Sequence, residues 1–395
     1  MKQPYAHAMM PVPTHDEHAR QNCIADFKMH MEDHVYPANR QVFEQKTLPA
    51  FRRRTGRAPK SKHEVRREME QDPFTQMWSS IARTLQEMQW TNVADVVERQ
   101  EDTLKARFHQ LRARAKGTLT LNPAVAVPRY NDALDIHCMP GGYASERGEH
   151  DIFAGALYDR GSHYYGAPLL GARAHAVEDK PGWMFKERQP RLVIAAVKQT
   201  APGFKPKKIL DLGCTVGGST IALVDAFPHA EVYGLDYAAP QLRYAHARAE
   251  AMGRTVHFVQ QNAEAMDFAD GSFDLVTSHG LAHETSAKAI RNILRECHRL
   301  LKPGGITMHY DPQFSRGLDA HDSFMHDWDT YYNAEPFWGP LHETPVLDLL
   351  AEAGFSRGSS FEFWGSFGPN LEAVLTPADD HTSNIYRTSI FGARK

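Results

Sequence analysis

Asp211-Leu212-Gly213-Cys214-Thr215-Val216-Gly217-Gly218-Ser219-Thr220 follows the short apolar run Lys208–Leu212 and opens a helical pattern reaching about Phe227. Glycines directly after a strand let the backbone turn sharply and come close to a ligand. The helix that starts there presents unpaired N–H groups to the same place. Glu231–Asp236 (EVYGLD) reads as the next strand, and it ends on a carboxylate 19 residues beyond Gly217. A carboxylate so placed can accept both hydroxyls of a ribose, as in dinucleotide-binding folds, although a plain turn aspartate would look the same. The nicotinamide fingerprint G-x-G-x-x-G is not met, because counting from Gly213 its second glycine position holds Thr215.

Outward from this turn, strands and helices alternate. Ala239–Met252 has a helical pattern, 256–259 and 273–277 are apolar strands, and a helix over 286–301 stops at Lys302-Pro303-Gly304-Gly305. Ile306–Tyr310 is a further strand. Such alternation predicts a parallel sheet with helices on both faces, whose ligands sit beyond the carboxyl ends of its strands.

The ordered run D-x-G-x-x-x-G, an Asn262-Ala263-Glu264 stretch after the third strand, then D-G-S-F-D-L-V and L-L-K-P-G-G, resembles the class I S-adenosylmethionine-dependent methyltransferases. The resemblance is closest to their ubiquinone/menaquinone small-molecule branch. It covers roughly 207–305 and does not reach residues 1–116. It implies an α/β, Rossmann-like, seven-stranded doubly wound sheet that finishes with two antiparallel strands near 360–364 and 384–391. S-adenosylmethionine is the implied cofactor. Asp211, Gly213 and Gly217 would line its methionine end, Asp236 its ribose, and Tyr237 its adenine. Asn262 and Ala263 stand where the family usually has Asp-Ala, and Ser278 to His283, His279 included, form the loop under the sulfonium. Thr215 replaces a usual glycine, so its Cβ must point away from the ligand or narrow the pocket.

The implied reaction is attack of an acceptor in line with the sulfonium methyl, for which a protein supplies alignment and desolvation. A base is required where the acceptor is protonated at neutral pH. His283, His309 and Tyr310 are the catalytic candidates, with His279 and Asp311 at the same end of the sheet. Each histidine has a structural alternative: a backbone partner, a helix cap, or a place in the sheet core. A metal at His279/His283 is set aside, because the sequence places no third ligand. Tyr158, Tyr164, Tyr165, Trp328 and Tyr331 are candidates to line the acceptor pocket, or else to fill core.

The remaining sequence sets the frame. Residues 1–116 are a helical region. Asp72-Pro73 starts a helix with Phe74, Met77, Trp78, Ile81, Leu85 and Met88 on one face; a second apolar pattern runs from Val93 to Leu111. These faces must be buried on each other, on the downstream domain, or in a homodimer. Residues 117–200, punctuated by glycine and proline, read as a connector of loops with a lid over the acceptor. Residues 201–395 are the methyltransferase domain. Nine Lys/Arg between Lys46 and Arg67 invite an RNA- or protein-methylating reading. The net charge of −3 and the acids that follow argue against nucleic acid. No run approaches the ~20 apolar residues of a membrane span. Four scattered cysteines and an N-terminus without an apolar leader suggest a reducing cytoplasm. The favoured expectation is methyl transfer to a small-molecule acceptor through an S, O or C nucleophile; the other alternative is a methyltransferase fold that binds the cofactor without transferring methyl, as a lyase, cyclase or sensor.

Overall fold

Nine strands form one sheet in the computed structural model, which describes residues 7–169, 185–311, 317–367, 372–378 and 388–395, without the side chains of 163–169 and 185–188. They are β1 (Thr118–Thr120), β2 (Lys208–Leu212), β3 (Glu231–Asp236), β4 (His257–Gln260), β5 (Phe273–His279), β6 (Leu301–Asp311), β7 (Ser360–Phe367), β8 (Ala373–Pro377) and β9 (Thr388–Arg394). Their order is β1-β4-β3-β2-β5-β6-β9-β7-β8. The strands from β1 to β6 pair in parallel, and β9, β7 and β8 join antiparallel. The expected seven strands are present at its centre. Two more lie outside them: β1 beside β4, and β8 as the second arm of a hairpin with β7.

Alternation along the strands separates two cores. Leu210, Leu212 and Leu235 face the Ala287–Leu300 helix through Ile290, Ile293 and Leu294. Ile209, Val232, Leu275, Ile306 and Met308 face the other way, onto Leu192, Val193 and Ala196 of the Phe185–Thr200 helix. The latter helix and Phe153–Leu169 correct the loop reading of 117–200, and the sheet's own covering layer begins before residue 201. Of the glycines and prolines that suggest loops, Gly161 lies inside the Phe153–Leu169 helix, whereas Pro123, Pro140, Gly141 and Gly142 sit in loops and turns as expected.

Asp72 caps the Pro73–Glu98 helix, its Oδ1 accepting from the Phe74 N–H at 2.9 Å. Of the apolar face expected on it, Trp78 and Leu85 are buried, whereas Met77 and Met88 are exposed. The buried stripe instead includes Thr75, Ser79, Gln86 and Gln89, whose polar groups have partners such as Asn39 and Gly161. Val93 and Val97, with Leu104, Phe108 and Leu111 of the Glu101–Arg112 helix, pack on Tyr244, Ala247 and Val216 of the sheet domain. Much of the N-terminal apolar surface is thus covered within the chain. Part of the basic stretch is paired as well: Arg57 with Glu64 at 2.7 Å, Arg54 with Glu68 at 2.6 Å, and Lys46 with Asp72. No helix of the described residues is long and apolar enough to cross a membrane.

Candidate active site

Parallel strands end on one edge, so Leu212, Asp236, Gln260, His279 and Asp311 close their strands on the same side. The glycine turn leaves β2 through three left-handed residues: Gly213 (φ 63), Thr215 (φ 44) and Gly217 (φ 73). A Cβ on Gly213 would come 2.9 Å from Leu281 Cδ1, so the turn and the loop after β5 approach closely. Thr215 takes a conformation that a β-branched residue adopts only under strain. Its N–H donates to Asp236 Oδ2 at 3.0 Å, tying the turn to the end of β3.

Asp236 also accepts from the Ala238 N–H at 2.9 Å. Each of its oxygens keeps a lone pair. Burial pushes its carboxyl up to about 6, against the backbone donors that favour the charged form. Asp211 is fully buried and accepts from Ser219 Oγ (2.6 Å), Thr220 Oγ1 (2.7 Å) and Thr277 Oγ1 (3.1 Å). His279 Nδ1 lies 3.2 Å from the same carboxylate, while its buried Nε2 has no hydrogen-bond partner. A desolvated carboxylate with spare lone pairs and an orphaned ring nitrogen suit a polar ligand crossing this edge. Asn262 Oδ1 accepts from the Glu264 N–H at 2.9 Å, leaving one lone pair, and Ala263 packs on the sheet core. Tyr237 carries its phenol in a buried setting that raises its pKa well above the usual value.

The catalytic candidates separate. His309 has both ring nitrogens engaged, Nδ1 with Ser278 Oγ (2.8 Å) and Nε2 with Thr307 Oγ1 (2.7 Å), and its ring lies against Phe391. Burial pushes it down to about 3. Tyr310 points to the opposite face, among Ile306, Met308 and Leu192. Both therefore belong to the sheet interior and drop out as catalytic groups. Ser278 spends its hydroxyl on His309, which leaves its backbone alone for a ligand.

His283 remains. Its Nδ1 is 2.7 Å from Asp311 Oδ1, and Asp311 also accepts from the backbone of Ala282 (2.9 Å) and His283 (3.3 Å). Burial opposes the charged imidazole, but Asp311 outweighs it and holds the ring's pKa well above its ordinary value. Around His283 Nε2 stand Glu284 Oε1 (3.5 Å) and Glu335 Oε2 (3.9 Å). The short turn 136–138 adds His137, with Nε2 2.9 Å from Glu284 Oε1 and Nδ1 2.7 Å from Glu335 Oε1. Burial would lower the His137 pKa, but the two glutamates raise it to about 10. Asp329, one helical turn before Asn333, is pushed up to about 7 by burial and by Glu335. His137, Glu284 and Glu335 were missed in sequence. Glu284 adjoins a residue already singled out, but nothing local marks His137 or Glu335, which lie far apart in the chain.

The 129–158 stretch covers this end of the sheet. Tyr130 OH donates to Glu264 (3.0 Å), Asn131 Nδ2 to the Glu284 carbonyl (3.2 Å) and Tyr143 OH to Glu284 Oε1 (3.1 Å). Tyr158 meets Tyr143 edge-on at 5.4 Å, so it joins the site. Tyr164 and Tyr165 lie outside the described side chains. Trp328 and Tyr331 do not line the pocket. Trp328 Nε1 donates to Ser79 Oγ (2.6 Å) and its ring packs on Trp78, while Tyr331 is 51% exposed beneath the Arg66 guanidinium. They fasten the 320–342 segment to the N-terminal helices.

Residues 209–305 match the family described as "Methyltransferase domain". Over 101 residues the chain is 41% identical to a demethylmenaquinone methyltransferase of Thermus thermophilus, covering 25% of this chain and 44% of that protein. It is 36% identical over 115 residues to a ubiquinone biosynthesis O-methyltransferase of Pectobacterium atrosepticum, covering 29% and 46%. An uncharacterized protein of Haemophilus influenzae is 30% identical over 190 residues, 48% of this chain and 70% of its own length. The chain thus spans less than half the length of the two named methyltransferases it matches. Sheet order, glycine turn and family match agree, and through the domain at 209–305 the chain belongs to the class I S-adenosylmethionine-dependent methyltransferases.

Proposed function

We propose that the protein transfers a methyl group to a small-molecule acceptor whose nucleophilic atom, an oxygen or sulfur, carries a proton before reaction. The observation that carries this reading is the pairing of His283 with Asp311 at the carboxyl edge of the sheet, beside the turn that suits the cofactor. The donor, S-adenosylmethionine, supplies a methyl on a positively charged sulfur: the bond from acceptor to carbon forms as the carbon–sulfur bond breaks. In this reading Asp236 holds the ribose hydroxyls, and Asp211 with the Gly213–Gly217 turn receives the methionine end. Asn262 and Tyr237 flank the adenine. In its neutral form His283 takes the acceptor proton through Nε2, with Asp311 fixing the ring so that this nitrogen faces the pocket; because Asp311 also raises the ring's pKa, this form and the turnover it supports grow as pH rises. Residues 129–158 act as the lid. Tyr143 and Tyr158 present apolar ring faces suited to a planar acceptor, and the demethylmenaquinone named for one relative is of that planar kind.

The test is S-adenosylhomocysteine release with a panel of phenols, quinols, thiols, amines and carboxylic acids, with calorimetric cofactor binding alongside. Turnover confined to phenols, quinols or thiols is the expected result, and His283→Ala should lower kcat at unchanged cofactor affinity. Turnover with amines alone, or a His283→Ala enzyme as fast as the parent, overturns it. Binding without turnover on any acceptor would favour a non-transferring protein.

A further inference from the structure

The cluster beneath the lid is built from three separate places in the chain: His137, the adjacent pair His283 and Glu284, and Glu335. His137, His283 and Glu284 offer ligand atoms all within 4.8 Å of one another, and Glu335 stands beside them with Oε1 2.7 Å from His137 Nδ1. We propose that His137 Nε2, His283 Nε2 and Glu284 hold one divalent transition-metal ion, of the zinc, iron or manganese kind, at the acceptor end of the site, with Glu335 supporting His137 from behind.

Three observations carry this. First, each imidazole has its Nδ1 against a carboxylate: His137 on Glu335 Oε1 (2.7 Å) and His283 on Asp311 Oδ1 (2.7 Å). This is the support that metal-binding histidines use, and it leaves each Nε2 for the shared space. Second, Glu284 Oε1 stands 2.9 Å from His137 Nε2 and 3.5 Å from His283 Nε2. Tetrahedral bonds of about 2.0–2.2 Å place ligand atoms roughly 3.3 Å from one another, inside that range. Third, Glu284 Oε2 is buried and accepts no hydrogen bond. A carboxylate oxygen removed from water needs a partner, and a cation supplies one.

Without a cation, both Nε2 atoms must carry protons to face the two glutamates. Those two positive charges equal the charge of one divalent ion. The backbone supports the placement: His137 sits at φ 58, ψ 17, a strained conformation for a side chain of its kind, and its carbonyl is held by Trp90 Nε1 (2.7 Å) and Gln86 Nε2 (2.8 Å). Histidine nitrogens with carboxylate oxygens suit zinc, iron or manganese more than calcium. This proposal rests on the methyl-transfer reading only for its role. There, an acceptor oxygen or sulfur bound to the ion would lose its proton to Glu284 Oε2, and His283 would be a ligand in place of the proton carrier.

The test measures the ion without cofactor or acceptor, so it can fail while the methyl-transfer reading stands. Full-length protein is stripped with chelator and titrated with Zn2+ by equilibrium dialysis, and separately with Co2+ by absorption. We expect one ion per chain, a Co2+ spectrum of a low-coordinate nitrogen/oxygen site, and at least 100-fold weaker Zn2+ binding in Glu284→Gln and His137→Gln. Asp311→Asn, acting through His283, should weaken it about 10–100-fold. Thermal melts and S-adenosylhomocysteine binding check that the variants fold. If neither ligand variant folds, the wild-type Co2+ spectrum decides: octahedral all-oxygen ligation overturns the proposal. So does wild-type protein that retains no ion, or Zn2+ binding unchanged in both variants.

Discussion

At the scale of single residues, Thr215 and Asp236 show how a ligand-binding turn departs from the most stable backbone. Thr215 is left-handed at φ 44 and holds Asp236 through its N–H. Glycine would keep that bond and relieve the steric strain, at some cost in unfolded-chain entropy. Thr215→Gly should therefore raise stability by roughly 0.5–1 kcal/mol in denaturant titration; a loss of stability would mean that the threonine side chain makes a compensating contact. For Asp236 the sign of the pH effect follows from its burial. Its pKa is about 6 when folded against an ordinary 3.8, so the folded chain binds that proton more tightly. Its contribution to stability is full below about pH 4 and is lost as pH rises through 6. Ribose hydroxyls need the ionised form, so cofactor affinity should run the opposite way. Calorimetry should show affinity level above pH 6 and falling about tenfold per pH unit below it. A flat profile would remove Asp236 from the ribose.

At the scale of elements, the two-residue alternation of β6 decides which side chains can do chemistry. Ile306, Met308 and Tyr310 go to one core, and Thr307, His309 and Asp311 to the other face. Of these only Asp311, the last residue of the strand, reaches the loop carrying His283. The 320–342 segment obeys a different constraint. Trp328 is bound to Ser79 and Trp78, so it holds this segment on the N-terminal helices. Trp328→Ala should cost about 2 kcal/mol in unfolding free energy, below the 3–5 of a fully buried tryptophan because its ring is half-buried. The acceptor KM should stay within twofold. A large KM rise at unchanged stability would return Trp328 to the pocket.

At the scale of the whole molecule, one apolar cluster joins the N-terminal helices to the sheet domain. Trp90, Val93, Leu104 and Phe108 share it with Val216, Tyr244 and Ala247, and the Tyr244 hydroxyl donates to Asp159 (2.7 Å) and to the Met9 carbonyl (2.9 Å). Each buried side chain of this size contributes about 1.5–3 kcal/mol, so neither part can leave the other cheaply. Differential scanning calorimetry should give a single transition. Phe108→Ala should move all of that transition down, by about 3–5 kcal/mol of stability. Two separate transitions, or a shift confined to part of the signal, would mean that the N-terminal region unfolds on its own.

Within residues 208–311, local order was enough. The strand–turn–helix periodicity, Asp236 at the end of β3 and the Ser286-capped helix are set by neighbours in the chain, and they appear where the sequence predicts them. The short glycine- and proline-marked segments of 117–200 misled because helices there are stabilised by what they pack on: Phe153–Leu169 on Tyr244, Phe185–Thr200 on β6. The same limit governs the site. Sequence could place His283, His309 and Tyr310 at one end of the sheet, but which face each side chain takes depends on register and packing. His137, Glu284 and Glu335 meet only because the lid and the 320–342 segment fold back over the edge of β5. Spacing along a chain encodes helix and strand; it does not encode the encounter of residues some 150–200 positions apart.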